Sequence, residues 1–158
     1  MVYYLDSSAW VKRYFDEAGR DWVNGLFEQH QVLGCSPLGL IEVGSTMARK
    51  RNAGEVKPEE FGPKRASLLK DWRRFLWMDM TTAVVQRAFE TADLHSLRDA
   101  DSVHLASALV LKEELELDCD EFTFVTSDAE LKSAALRAGL VVLDPQERTG
   151  PRSAAPNQ

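Results

Sequence analysis

Four acidic residues fall where a carboxylate has chemistry available to it. Asp6 follows the apolar run VYYL (residues 2–5) directly, and Asp128 closes EFTFVTSD (121–128). Glu42 lies in LGLIEVGSTMA, where Leu38, Ile41, Ser45 and Ala48 share its side of a helix and read as core-facing. Asp101 stands one turn before Leu105, on an apolar side of LRDADSVHLASALVL (97–111). A carboxylate taken out of water costs several kcal/mol unless it is paired, hydrogen-bonded or bound to a metal. Each acid has a local explanation by itself: Asp6 and Asp128 as helix N-caps, Asp101 as a first-turn residue, Glu42 as an outward-facing one. Together these explanations fare worse, because acids recur at strand ends and on apolar helix faces. A set of like charges raises its own proton affinity and needs a counter-ion. Carboxylate oxygens without Cys or His suit the hard cations Mg²⁺ and Mn²⁺.

The residues around the four acids refine this picture. Asp99 lies two residues before Asp101, about 200° round a helix, so it reads as a capping or first-turn residue and not as a second site acid. His104 lies three residues after Asp101, within reach of the same site, and reads as a packed or hydrogen-bonded side chain before it reads as a ligand. Ser8, Thr126 and Ser127 set hydroxyls beside two of the acids, suited equally to orienting carboxylates, holding a metal-bound water or capping helices. His30 and His95 are scattered and carry no signal.

The elements that must position these groups alternate along the chain. VYYL reads as a strand, followed by a helix over SSAWVKRYF with Ser7 or Ser8 as its cap. RDWVNGLFEQH is a second helix, QVLGCSP a short strand, and LGLIEVGSTMARKRN a helix ending near Asn52 to Gly54. The polar stretch from Pro58 to Phe75, with Pro63 near a helix start, reads as a helical arm or hairpin. FLWMDM reads as a strand and TTAVVQRAFETADLHS as a capped helix, with the helix carrying Asp101 next. EFTFVTSD is a strand turning into the helix AELKSAALRAGL, closed by Gly139, and VVLDP is a last strand stopped by Pro145. Strands alternating with helices imply a parallel sheet covered on both faces. Sites in such sheets form beyond the carboxyl ends of the strands, and Asp6 and Asp128 share that edge if their strands are neighbours.

With 158 residues the chain suits a single domain, and its 44% apolar and 28% charged composition is that of a soluble globular protein. No run approaches the roughly 18 apolar residues that span a bilayer, and MVYYLDSSAW lacks the pattern of a secretory signal. The expected location is therefore the cytoplasm, with no membrane partner. Cys35 and Cys119 are too few for a zinc site, do not read as a disulfide in that setting, and both read as buried small apolar residues. The net charge of −6 hides an uneven distribution: from Arg49 to Arg74, nine Lys or Arg face four acids. That segment forms a basic surface beside an acidic centre, or a solvated helix face.

Taken together, these segments resemble the PIN-domain nucleases and, within them, the VapC-type toxins of toxin–antitoxin pairs. YYLDSSAWVKRYFDEAG resembles the opening strand and first helix, LIEVGSTMARKR the helix with its acidic residue, LRDADSVHLASAL the central motif, and FVTSDAELKSAA the closing strand and acidic turn. The resemblance implies an α/β fold: a PIN-like three-layer α/β/α domain with a central parallel sheet over residues 1–145; the residues after it, 146–158, have little to bury and read as a disordered tail. It implies Asp6, Glu42, Asp101 and Asp128 around Mg²⁺ or Mn²⁺, cleavage of an RNA substrate, a homodimer, and silencing by a cognate antitoxin. Asp6, Asp101 and Asp128 would hold one or two ions, while Glu42 would ligate or orient the attacking water. Lys12, Arg13, Arg49, Lys50 and Arg51 are candidates for gripping backbone phosphates, chosen by nearness to the motifs.

Two other readings compete: a Mg²⁺-dependent phosphoryl-transfer domain, of phosphatase or receiver type, and a non-catalytic PIN-like binding module. A phosphatase-type site wants a second Asp two residues after Asp6, where this chain has Ser8. A receiver-type site wants an Asp after the third strand and a Lys after the last, where this chain has Asp144 and Pro145. In a non-catalytic binding module, the acids would be structural.

Overall fold

The computed structural model describes residues 1–148. Five strands form one fully parallel sheet in the order β3-β2-β1-β4-β5. These are β1 (Val2–Leu5), β2 (Val32–Cys35), β3 (Leu76–Trp77), β4 (Phe122–Val125) and β5 (Val141–Leu143). Seven helices connect them: α1 (Ser7–Trp10), α2 (Arg20–Glu28), α3 (Pro37–Asn52), α4 (Pro58–Trp72), α5 (Thr82–His95), α6 (Asp99–Glu114) and α7 (Ala129–Arg137). The strands that carry Asp6 and Asp128 are adjacent, so the condition for bringing these acids to one edge is met.

The alternation of side chains along each strand divides the core in two. Val2 and Tyr4 of β1 and Phe122 and Phe124 of β4 pack with Val84, Leu105, Leu111 and Leu131, which places α5, α6 and α7 on one face. Leu5 and Val125 pack with Trp10, Val23, Phe27, Val43, Met47 and Leu68, which places α1 to α4 on the other. The result is the three-layer α/β/α arrangement. Its middle strands are apolar on both sides, as a sheet covered on both faces requires.

Several local features differ from the sequence reading. Asp6, not Ser7 or Ser8, is the N-cap of α1, and the helix tightens after Trp10 into a 3-10 turn over Val11–Tyr14. The polar segment after Pro58 is a single helix packed on α3, with Leu68 and Asp71 buried. Pro58 takes the first helical position, where a missing N–H costs nothing, and Pro63 frees only a first-turn carbonyl. Buried Asp71 ties α4 down by accepting from Arg13 Nε at 2.5 Å and from Tyr14 Oη at 2.8 Å. β3 keeps only two residues of the expected FLWMDM strand. Cys35 is buried, but Cys119 is exposed in the loop after α6.

α7 is closed by Gly139 at φ +84°, a backbone conformation that suits glycine. After β5, Pro145–Glu147 forms a 3-10 turn and Glu147 pairs with Lys132 of α7. The expected disordered tail otherwise lies outside the described residues.

Candidate active site

The register of the two central strands builds the first part of the site. Leu5 pairs with Val125, so Asp6 and Thr126 emerge side by side beyond the carboxyl ends of β1 and β4. Thr126 Oγ1 donates to Asp6 Oδ2 at 2.8 Å, and Ser8 Oγ lies 2.8 and 2.9 Å from the two Asp6 oxygens. The Ala9 N–H reaches Asp6 Oδ1 at 3.0 Å and caps α1. Thr126 Oγ1 also accepts from the Asp128 N–H at 3.1 Å, which fixes the turn into α7. Asp128 Oδ1 caps that helix through the Leu131 N–H at 2.8 Å. Both strand-end acids are therefore helix caps, and capping leaves Asp128 Oδ2 free to face the site.

Ser8 and Thr126 thus orient the Asp6 carboxylate, whereas Ser127 donates to Asp144 at 2.8 Å at the end of β5. Where a phosphatase-type site would carry a second acid, Ser8 acts as a hydroxyl donor.

Glu42 arrives from α3. Gly39 permits the approach: a Cβ there would lie 2.5 Å from Cys35 Sγ and 3.5 Å from His104 Cε1. One turn later, Glu42 Oε2 meets His104 Nε2 at 2.5 Å. Ile41 is 65% exposed and the helix buries Gly39, Val43 and Met47 instead, so Glu42 sits at the margin of the core and not in the apolar face expected for it. His104 is fully buried, and Tyr4 Oη lies 3.2 Å from its Nδ1. An ionised Glu42 can only accept, so Nε2 carries the proton. His104 is the packed, hydrogen-bonded residue of the sequence reading, with the added task of holding Glu42. The signal was its place one turn after Asp101.

Asp101 lies in the first turn of α6, and its side chain is 13% exposed. The cation that meets it is Arg98, whose Nε and Nη2 both lie 3.2 Å from Asp101 Oδ2. Arg98 Nη2 also lies 3.5 Å from Asp128 Oδ2, so one guanidinium bridges the two acids. Sequence reasoning missed this bridge, although the i,i+3 spacing of Arg98 and Asp101 was visible. Asp99 is exposed, its carboxylate accepting from the neighbouring Ala100 N–H and its backbone carbonyl from Ser102 Oγ, in keeping with its first-turn reading.

Burial, more than mutual repulsion, raises the proton affinity of Asp6 and Asp101, which corrects the expectation of four like charges acting on one another. Burial is the largest cause of the rise of Asp6 to about 6, opposed by His104 and by the bonds from Thr126, Ala9 and Ser8. Asp101 is raised first by burial and then by the charge of Asp128, with Arg98 opposing both. His104 acts on Asp6 and Asp101 alike, and Asp6 and Glu42 both push up the buried Cys35 thiol beyond the effect of burial. His104 thus lies near Asp6 and Asp101 as well as bonding Glu42. Among the described residues, however, no three His, Cys, Asp or Glu side chains stand close enough to share an ion. Glu42 is turned to His104, and Arg98 lies between Asp101 and Asp128. The donor set is all oxygen, and two of its members already share a cation, which fits a hard divalent ion.

Of the basic residues nominated for phosphate contact, the structure takes up Lys12 and Arg13 in internal pairs. Lys12 is buried and pairs with Glu17 at 3.7 Å, and Arg13 is held by Asp71. Lys50 pairs with Glu17 and Glu55, and the Arg51 guanidinium lies over the Phe61 ring. Arg49 is exposed and bonds only Thr46. Among the described residues, no helix is long and apolar enough to cross a membrane.

Comparison with known proteins agrees with this fold. The chain matches the PIN domain over residues 3–136. Ribonuclease VapC45 of Mycobacterium tuberculosis (strain CDC 1551 / Oshkosh) is 33% identical over 113 residues, covering 68% of this chain and 75% of that protein. Ribonuclease VapC47 of the same strain is 31% identical over 146 residues, covering 90% and 96%. The crystal structure of VapBC2 from Rickettsia felis, bound to a DNA fragment from its promoter, superposes with a TM-score of 0.59 at 15% identity, over 91% of this chain and 98% of that one. With the family matched over most of its length and relatives at this identity and coverage, the chain belongs to the PIN-domain family, among its VapC-type members.

Proposed function

We propose that this protein is a divalent-metal-dependent endoribonuclease and the toxin of a toxin–antitoxin pair, acting in the cytoplasm. The observation that carries the site reading is that Asp101, in the first turn of α6, and Asp128, at the cap of α7, already share one cation. Asp6, Asp101 and Asp128 would hold Mg²⁺ or Mn²⁺, with Glu42 as a further ligand or as the group that orients water. A divalent ion there supplies charge compensation for the scissile phosphate and a more acidic attacking water. Ser8 and Thr126 hold the buried Asp6 carboxylate in one orientation. Glu42 is held through Oε2 by His104, leaving Oε1 to accept a hydrogen bond from the attacking water. Attack of that water at phosphorus, with loss of the 3′-oxygen, leaves a 5′-phosphate and a 3′-hydroxyl.

The ribonuclease names of the relatives support the reaction, and the VapBC2 assembly supports a protein partner. The basic segment of α3 and α4 borders an apolar groove lined by Leu40, Met47, Phe61 and Leu69, which suits an amphipathic antitoxin segment. A homodimer is the proposed assembly.

Cleavage of RNA by the purified protein tests the reading. Activity is expected with Mg²⁺ or Mn²⁺ and its loss in excess chelator. Asp101→Asn and Asp128→Asn should be inactive, while Asp99→Asn stays within a few-fold of wild type. Equal cleavage in chelator would falsify the metal-dependent mechanism, and an inactive Asp99→Asn beside an active Asp101→Asn would reverse the assignment of the helix face.

A further inference from the structure

Arg98 occupies a position that local physics would give to another residue. It is the N-cap of α6, where Ser, Thr, Asp or Asn normally offers an oxygen to the first free N–H groups, and it makes no such side-chain bond. A guanidinium there also faces the positive end of the helix dipole, which favours anions. The chain enters this position from Ser96 in the left-handed region, at φ +53°, and Arg98 itself is extended, at φ −65° and ψ 161°. A local preference broken at the start of an otherwise well-formed helix points to a constraint from elsewhere.

The side chain shows what that constraint is. Arg98 reaches Asp101 on its own helix and Asp128 at the cap of α7, and among the described residues no other Lys, Arg or His pairs with either acid. Asp101 is nearly buried, while the Arg98 side chain is 71% exposed and lies in an open cleft lined also by Asp128, Ala129 and Glu130. The guanidinium therefore covers the acids from the solvent side, and rotation of one side chain removes it.

We propose that Arg98 is an internal counter-ion: its guanidinium neutralises Asp101 and Asp128 in the metal-free protein, and a divalent ion must displace it to take the same two carboxylates. The inference rests on reading those acids as metal ligands. Arg98 is then a positioning residue. It holds the N-termini of α6 and α7 together while no ion is bound, and it weakens metal affinity because the ion must replace an existing favourable contact. A guanidinium keeps its proton at any working pH, so the exchange makes and breaks no covalent bond and draws no proton from Arg98.

The experiment measures Mn²⁺ binding to the full chain at pH 7.5 without RNA, by isothermal titration calorimetry, together with thermal melting in chelator. Wild type, Arg98→Gln, Arg98→Met and Arg98→Lys are compared. Both neutral variants should bind Mn²⁺ about two- to thirty-fold more tightly, the range expected from removing two exposed ion pairs from the metal-free state. They should also melt below wild type in chelator, with Arg98→Lys close to wild type in both measurements. In an Asp128→Asn background, the tightening on removing Arg98 should shrink. Equal or weaker Mn²⁺ binding by the neutral variants overturns the exchange alone. Absence of Mn²⁺ binding by every protein, wild type included, overturns the metal reading and the exchange with it.

Discussion

At the scale of single residues, the site is organised by neighbours that are not themselves acids. Thr126 and Ser8 fix Asp6, Arg98 bridges Asp101 and Asp128, and His104 fixes Glu42. His104 is tested most directly. In His104→Leu, the Glu42 side chain loses the one hydrogen-bond partner it has among the described residues and gains rotational freedom. RNA cleavage should then fall about 10–100-fold, the usual cost of removing a group that orients a ligand. The loss should appear in kcat with KM little changed, and His104→Gln, which keeps a donor, should recover part of it. Combined with Glu42→Gln, the His104→Leu loss should not add, since both changes remove the same contact. An additive double variant would mean that His104 serves the core and not Glu42.

Among the described elements, α5 exposes a group of large apolar side chains on its outer face. Val85 and Phe89 lie one turn apart on it, and Phe89 is 79% exposed. A large aromatic side chain left in water beside a second apolar one marks a contact surface, and α5 is where the proposed homodimer would form. Phe89→Asp should convert a dimer to a monomer by size-exclusion chromatography with light scattering, while the melting temperature moves little because the side chain contributes nothing to the core. A Phe89→Asp protein that stays dimeric would move the interface to another face. Elsewhere, the Arg13–Asp71–Tyr14 contact ties the 3-10 turn to α4.

For the whole molecule, the buried acids couple stability to pH. The Asp6 carboxyl rises from 3.8 to about 6 on folding, so the native state holds a proton that the unfolded chain has released. That contribution is fully present below about pH 4 and is lost as pH rises through about 6, an effect of about 3 kcal/mol. Asp101 is shifted in the same direction. In chelator, the melting temperature should therefore fall across this window, and Asp6→Asn should flatten the fall. Mn²⁺ binds the ionised form and opposes the trend, adding about 2.7 kcal/mol at a hundred times its dissociation constant. The gain from Mn²⁺ should grow between pH 5 and pH 7.5 and largely vanish in Asp6→Asn/Asp101→Asn. A gain independent of pH would separate these acids from the ion.

Read alone, the amino-acid sequence determined the order and type of the elements, the α/β class, and the placing of Asp6 and Asp128 at strand ends. These features rest on short-range physics: periodicity over a few residues, caps, and glycine or proline at the ends. The spacing of Asp99 and Asp101 on a helix belongs to the same class, and so did the puzzle of an acid on an apolar side. What answers that puzzle was decided by tertiary structure. Arg98 is one turn from Asp101, but only the packing of α6 beside α7 brings it to Asp128 as well. His104 meets Glu42 across 62 residues of chain because Gly39 lets α3 come close. Packing also exposed Ile41 and Cys119 and consumed Lys12 and Arg13 in internal pairs. Periodicity reports which face of an element is apolar, whereas the partner of a buried charge depends on which elements the chain brings together.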